Sequence, residues 1–399
     1  MKDDTLLAAA KQYGTPSYLF DLDELRERMN VIRNLLGSSI TLTYSVKANP
    51  FLIPAMRKET DLLEVCSPGE LHLCEQVFQN DQKAMHSIVY SGVQKTVEDC
   101  RIGIHDGVGI CTAESVLQMD HLEQAASEEE KTVNVLLRLN SGSQFGMSEE
   151  DLEYLLQHYQ KYPHLIIIGI HYFAGTQRKN HEMHLQKEEL QMLRQKILYW
   201  RNIYHLDLPI LEYGPGLPVP VFVKDDFEHS MQPLEELSTT LKEASEWCDL
   251  HVEMGRYFVQ SCGYYLTRVM DTKSVSDKHY SITDGGIHQI TYVGQVMGMK
   301  VPVIRSLSPE KKTESHDWTI CGSLCTTNDD LVRSVTMGDP EPGDILAFCN
   351  AGAYAVTEGI SLFLSRPLPN VILYDTECGY QVVRKLTETY PLNCPVQKG

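Results

Sequence analysis

Lys47 is the residue whose type and placement most clearly suggest chemistry. It stands in Ser45-Val-Lys-Ala-Asn-Pro50, at the end of the alternating, β-rich run Ile40–Val46. An amine at the end of an apolar strand is drawn out of water, which favours its neutral, nucleophilic form. The same position also suits a surface lysine with a snorkelling stem. Other polar and glycine positions follow apolar runs in the same way: Glu64-Val-Cys-Ser-Pro-Gly-Glu70, Arg138 with Asn140, His171-Tyr-Phe-Ala-Gly-Thr-Gln177, Gly214-Pro-Gly216 and Glu253-Met-Gly-Arg256. Glycine-rich backbone near Gly214 and Gly216 can bind phosphate, and Arg256 could add a charge-assisted contact. Read blandly, the glycines make a tight turn and Glu253 pairs with Arg256. Two later loops, Cys321-Gly-Ser-Leu-Cys325-Thr-Thr-Asn-Asp329 and Asn350-Ala-Gly-Ala-Tyr354, combine small residues with a thiol and a phenol. A buried structural role for Cys325 is the alternative there.

These positions need a common frame. Strand-like runs occur at Ile40–Val46, Leu62–Cys66, Ser87–Tyr90, Val108–Cys111, Val133–Leu139, Leu165–His171, Pro209–Tyr213 and Leu250–Glu253. Helix-like stretches lie between them, for example Glu70–Phe78, Ala113–Ala125, Glu149–Lys161 and His181–Tyr204. Eight alternating units predict a parallel (β/α)8 barrel, an α/β fold whose chemistry sits at the C-terminal strand ends. A doubly wound sheet would show a glycine-rich phosphate turn after its first strand, and none stands there. Upstream, Pro16–Phe20 reads as a short strand. Asp21 then caps a helix with Glu24 in capping-box position, and Leu22, Leu25, Met29, Ile32 and Leu36 fall on one face. After Arg256, short strands at Tyr264–Val269, His279–Ile282, Trp318–Cys321 and Asp344–Phe348 predict an antiparallel β domain. The expected organisation is a barrel over residues 21–256, with residues 1–20 plus 257–399 forming the β domain.

Composition narrows the function classes. The chain has 399 residues, 42% hydrophobic, with a formal net charge of -19. That balance repels phosphate backbones and anionic surfaces, so neither nucleic acid nor membrane is an expected partner. The first residues lack a signal-peptide core and no run reaches spanning length, which predicts a soluble, cytoplasmic protein. Eleven scattered cysteines read as reduced thiols. Cys321 and Cys325 lack the further ligands of a zinc site, so no metal is expected.

In this order, Tyr44-Ser-Val-Lys-Ala-Asn49, Glu64…Ser-Pro-Gly-Glu70, His171…Gly-Thr-Gln177, Glu253-Met-Gly-Arg256, Cys321-Gly-Ser-Leu-Cys325 and Ala351-Gly-Ala-Tyr354 resemble the barrel-type (fold type III) pyridoxal-phosphate decarboxylases, which include the diaminopimelate and ornithine/arginine decarboxylases. The resemblance runs from about residue 16 to about residue 366. It implies pyridoxal 5'-phosphate as cofactor, a head-to-tail homodimer with shared active sites, and a small-molecule amino-acid substrate, free or carrier-bound. By the same resemblance Lys47 would bind the cofactor covalently, with Glu64 also in contact. Glu253 would meet the pyridine nitrogen. Gly214, Gly216, Arg256 and Tyr354 would hold the phosphate. Cys325 would reach the substrate from the neighbouring subunit and, like Lys47, could return a proton to it.

Three residues depart from the family pattern. Phe173 replaces a stacking histidine and can still stack, Pro215 interrupts a triple glycine, and Met254 replaces a proline. The first two resemble a branch serving natural-product pathways. The diaminopimelate and ornithine enzymes place an acid directly after the interface cysteine. Here Thr326 and Thr327 follow it, and the loop Asp284–Gly294 offers His288 where an arginine is usual. Thr326, Thr327 and His288 therefore predict a substrate other than free meso-diaminopimelate. The competing readings are diaminopimelate decarboxylase itself, an alanine-racemase-like enzyme, a pyridoxal-phosphate carrier protein and a catalytically dead regulator.

Overall fold

The computed structural model describes residues 1–79, 81–179, 183–292, 299–307 and 314–395. The chain divides into two compact units. One comprises Met29–Val219 and His229–Phe258; the other comprises Met1–Arg28, Pro220–Glu228 and Val259–Gly399.

In the first unit eight parallel strands close into a barrel. β1 (Ser17–Asp21) belongs to the other unit, so the barrel strands are β2 (Thr41–Ser45), β3 (Leu62–Val65), β4 (Ile88–Tyr90), β5 (Ile110–Ala113), β6 (Val133–Arg138), β7 (Leu165–Phe173), β8 (Ile210–Gly214) and β9 (Asp249–Met254). Each pairs with its neighbours in sequence, and β9 closes on β2 with Thr43 opposite Glu253. The eight sequence runs thus become the eight barrel strands, with ends shifted by a residue or two. Ala113 ends β5 rather than opening a helix. Ser115 caps the following helix, Val116–Glu128, by accepting from the Gln118 N–H. The long helix before β8 is described from Met183; His181 and Glu182, read as its start, lie outside the described residues.

In the second unit β1 is joined by β10 (Gly263–Val275), β11 (Lys278–Thr283), β12 (Ile304–Ser306), β13 (Ser315–Cys321), β14 (Asp330–Gly338), β15 (Ile345–Phe348), β16 (Asn370–Asp375) and β17 (Gly379–Arg384). The sheet is mixed rather than purely antiparallel, because β1 lies parallel to β16 and β11 parallel to β13. Long crossovers join both pairs, as parallel neighbours require. A helix at Asp3–Tyr13, not read from the sequence, buries Leu6, Ala9 and Ala10 with Leu19, Leu266, Ala347 and Ile372 in this unit's core. Asp21 does cap the helix Leu22–Leu36, accepting from the Glu24 N–H at 3.1 Å. The box is not reciprocal: the Glu24 carboxylate instead accepts from the Tyr264 hydroxyl at 2.9 Å. Among the described residues no helix is long and apolar enough to cross a membrane.

Candidate active site

Lys47 lies in a 3-10 turn, Val46–Ala48, immediately after β2. The next turn is fixed by Asn49, whose side chain accepts from the Phe51 N–H. The Tyr44 hydroxyl donates to the Asn49 carbonyl at 2.9 Å. These bonds aim Lys47 into the C-terminal end of the barrel. Its side chain is 40% exposed, and Nζ lies 2.7 Å from Glu64 Oε2 and 3.7 Å from Glu253 Oε1. The sequence predicts a desolvated amine. In the fold the amine is instead paired, because β3 and β9, the neighbours of β2, each present a carboxylate to it.

Glu253 is buried. Ser45 donates to its Oε1 at 2.8 Å, and His171 Nε2 lies 3.1 Å from its Oε2. Burial alone would push this carboxyl up. The charge of Lys47, the imidazole of His171 and a hydrogen bond with Glu64 together outweigh that effect and hold it well below the usual carboxylate range. Arg256 is buried at the start of the short helix after β9. The Lys47 ammonium and the His171 ring both lie close to the Glu253 carboxylate.

The segment after β3 has a local logic of its own. Ser67 caps the helix Pro68–Phe78, Pro68 occupies the first turn, and the Glu70 carboxylate reaches back to the Cys66 N–H at 2.7 Å. This capping fixes Cys66 beside Lys47, with Sγ 3.4 Å from Nζ and 3.4 Å from Glu64 Oε1. Burial first, and then the Glu64 carboxylate, push the Cys66 thiol well above its ordinary value.

At the same rim, beside β9, the turn after β8 is clamped from three sides. The Gln186 side chain donates to the Pro215 carbonyl at 2.7 Å, and the Arg178 N–H to the Gly216 carbonyl at 3.0 Å. The Phe173 ring packs so closely on Gly214 that a Cβ there would lie 2.2 Å from it. Gly216 has φ +63°, and a Cβ would lie 2.0 Å from the Gly175 carbonyl. Gly216→Ala should therefore cost about 2 kcal/mol or more and lower the thermal midpoint in a calorimetric scan. Arg178 is held by Glu189 at 2.8 Å, and Arg138 by Glu114 at 2.9 Å. Arg178 and Arg138 therefore each have a carboxylate partner within the barrel.

In the second unit, Cys325 is exposed on the loop between β13 and β14, followed by half-buried Thr326 and exposed Thr327. A buried structural Cys325 is not what the fold gives. The loop's organiser is Asp329, which sequence reasoning quoted only as the end of a motif. Its carboxylate accepts from the Leu324 N–H at 2.7 Å and the Ile287 N–H at 2.8 Å, tying the Cys325 loop to the Asp284-Gly-Gly turn. Ser323 N–H adds a bond to the Gly285 carbonyl at 2.7 Å. His288 is buried in this unit, and burial, then Arg366, push its imidazole down to about 4. It is neutral near pH 7, so it offers a hydrogen bond rather than a charge. The loop read from Asp284 to Gly294 is described as far as Tyr292; Val293 and Gly294 lie outside the described residues. Tyr354 is half-buried at φ +63°, in the loop whose Gly352 N–H donates to the Gln260 carbonyl at 3.0 Å.

The fold therefore gathers Lys47, Glu64 and Glu253 into one cluster and joins Ser45, Cys66 and His171 to it. It sets Phe173, Gly214 and Gly216 together in a second. Cys325, Thr326, Thr327, His288 and Tyr354 belong to the other unit. Ser45 and Cys66 were missed individually, though both lie inside segments whose order was informative. Among the described residues no group of three or more His, Cys, Asp or Glu could hold a metal ion.

A closed barrel whose C-terminal rim carries a lysine amine, a buried anionic carboxylate and a turn with glycine on both sides of Pro215 suits a cofactor that needs an amine anchor, a charged ring partner and a phosphate cradle. Residues 22–260, more than half of the chain, match the family model for the pyridoxal-dependent decarboxylase, pyridoxal binding domain, and the chain belongs to that family. It is a pyridoxal-phosphate-dependent carboxy-lyase. The chain is 28% identical to the L-glutamyl-[BtrI acyl-carrier protein] decarboxylase of Niallia circulans, over 95% of this chain and 93% of that one. It is 26% identical to the 2-[(L-alanin-3-ylcarbamoyl)methyl]-2-hydroxybutanedioate decarboxylase of Staphylococcus aureus, over 91% and 95%. In fold it is similar to the diaminopimelate decarboxylase from Helicobacter pylori complexed with L-lysine. The TM-score is 0.82 at 19% identity, covering 97% of this chain and 98% of that one.

Proposed function

We propose that this chain removes carbon dioxide from an amino-acid conjugate, or from an amino acid with an uncharged side-chain end, in a homodimer whose active sites are shared. The observation that carries the substrate reading is Thr326, a neutral residue directly after Cys325, where charged amino-acid substrates would need an acid. Leaving a distal ammonium or carboxylate buried and unpaired costs several kcal/mol, roughly a hundredfold or more in affinity. The neutral imidazole of His288 supports the same reading. The Niallia and Staphylococcus relatives, which act on a carrier-bound glutamyl group and on a carbamoyl conjugate, support the choice of a conjugate over a free amino acid.

Lys47 would hold the cofactor, with Glu64 Oε2 placed to take the proton its amine gives up. Glu253, fixed by Ser45 and His171, would face the ring nitrogen and keep it protonated. The Gly214–Gly216 turn, Arg256 and Tyr354 would hold the phosphate, and Phe173 would lie against the ring. Pyridoxal phosphate supplies an electron sink for the charge left on carbon when carbon dioxide departs. Cys325 would return a proton to that carbon from the neighbouring subunit.

The reading is tested by carbon dioxide release from the loaded enzyme. The panel comprises meso-diaminopimelate, L-ornithine and L-lysine beside neutral and conjugated amino acids, with the amine identified by mass spectrometry. A conjugate or neutral amino acid should be turned over and the three free charged amino acids should not. Efficient turnover of meso-diaminopimelate, with kcat/KM on the order of 10⁴ M⁻¹s⁻¹ or above, would overturn the substrate reading. Shared sites have their own test: Lys47→Ala and Cys325→Ala chains, each inactive, are mixed and allowed to exchange. Random pairing makes half of the dimers hybrid with one intact site in each, so activity should return to about a quarter of wild type. No recovery in demonstrated hybrids would exclude sharing.

A further inference from the structure

Cys66 is a thiol for which the decarboxylation scheme has no use, yet it stands in the lysine cluster. Its sulfur is 3.4 Å from Lys47 Nζ. The Glu64 carboxylate serves both groups at once, through Oε2 to Nζ at 2.7 Å and through Oε1 to Sγ at 3.4 Å. The lysine side chain is 40% exposed and Cys66 is half-buried, so a small reagent entering the barrel mouth meets both.

We propose that Lys47 and Cys66 form an amine–thiol capture site for dialdehydes whose two carbonyl carbons are close enough to be reached by one amine and its neighbouring thiol. Occupancy of this site blocks the lysine; only the competition with the cofactor rests on the function proposed above. The thiol is held protonated by its surroundings, so single-point alkylation of Cys66 is slow and capture begins at nitrogen. With an aromatic ortho-dialdehyde, the Lys47 nitrogen bonds to both carbonyl carbons and the Cys66 sulfur bonds to one of them. Both carbonyl oxygens leave as water, taking up the two N–H protons, the S–H proton and one former aldehyde hydrogen as a proton. The product is a thio-substituted isoindole, and no oxidant or reductant is needed. Glu64 is placed to relay the protons from both atoms. The 3.4 Å separation makes the second bond an intramolecular event of high effective concentration.

The test treats the full-length chain with one equivalent of ortho-phthalaldehyde, with and without prior loading with pyridoxal phosphate, and follows isoindole fluorescence and peptide masses. The expected product is a cross-link between the Lys47 and Cys66 peptides. Cys66→Ser, shown by circular dichroism to be folded, should lower the isoindole yield by about tenfold or more. A dominant cross-link between other residues overturns the proposal, as does wild-type yield from folded Cys66→Ser. Mapping of the wild-type cross-link decides the matter even if that variant does not fold. Cofactor loading should suppress the reaction. A Lys47–Cys66 cross-link that forms equally well in loaded enzyme would leave the pair standing and remove Lys47 as the cofactor's anchor.

Discussion

Glu253→Gln is expected to lower kcat by about a hundred- to a thousandfold while leaving the fold intact, the loss typical of removing one preorganised electrostatic partner. The substitution is nearly isosteric, and Ser45 can still donate to the remaining side-chain oxygen. What it removes is a negative charge enclosed by Ser45, His171 and Lys47. If Glu253 faces the ring nitrogen as proposed above, a neutral amide would not keep that nitrogen protonated, and the electron sink of the bound cofactor would weaken. Steady-state kinetics on the loaded enzyme measure the loss, and cofactor absorbance shows separately whether binding survives. A second consequence concerns pH. The folded-state carboxyl is held below its ordinary value. Its stabilising contribution is therefore present above the unfolded-state value and is lost as pH falls through the folded one. The wild-type chain should lose stability on acidification over that window, and Glu253→Gln should lose less. Unchanged kcat in the variant would remove Glu253 from the chemistry.

The barrel was legible because each of its strands carries an apolar run and helix-like stretches separate those runs. The β unit was less so. β14, which reads Asp-Leu-Val-Arg-Ser-Val-Thr-Met-Gly, buries Leu331 and Val332 and then runs out exposed, leaving too little alternation to announce a strand. β16 and β17 lie beyond the segment that the motifs cover, and the parallel pairing of β1 with β16 depends on residues more than 350 positions apart. The helix Asp3–Tyr13 carries only a short leucine and alanine face, which is amphipathic only once a sheet is there to receive it. The site divides along the same line. Lys47 and Glu253 were readable from strand position, because β2 and β9 end at the same rim. The pairing of Lys47 was not, since it depends on which strands flank β2 and on which carboxylates point inward. Asp329 was hidden for a similar reason: its two acceptor bonds link a loop after β13 to a turn after β11, and no spacing in the sequence encodes that contact.

Glu212→Gln should raise the thermal midpoint of the cofactor-free chain at pH 7.5 by about 3–8 °C, an unusual gain for a substitution inside a barrel. Glu212 is the third residue of β8 and buried, with His171 and His251 as its register neighbours on β7 and β9. Among the described residues neither of its carboxyl oxygens has a well-formed hydrogen bond. Burial, followed by the charges of Glu253 and Glu64, drives its carboxyl well above the ordinary value of 4.5, against smaller opposing effects of Thr43 and Lys47. The sign follows from linkage. Below the unfolded-state value both states are protonated and the folded chain suffers no penalty. As pH rises past it, the unfolded chain releases a proton that the folded one keeps, and stability falls until the folded-state value is reached. His251, pushed down to about 4 by burial, adds stability as pH rises from there towards its unfolded-state value, but it does so in both chains alike and drops out of the comparison. Glutamine does not titrate, so its advantage should be absent near pH 4 and should grow as pH rises. The measurement is thermal unfolding of both chains from pH 4 to pH 8, followed by circular dichroism. A gain of equal size at every pH would point to packing instead, and a lower midpoint at pH 7.5 would show that Glu212 is ionised and partnered in the folded barrel.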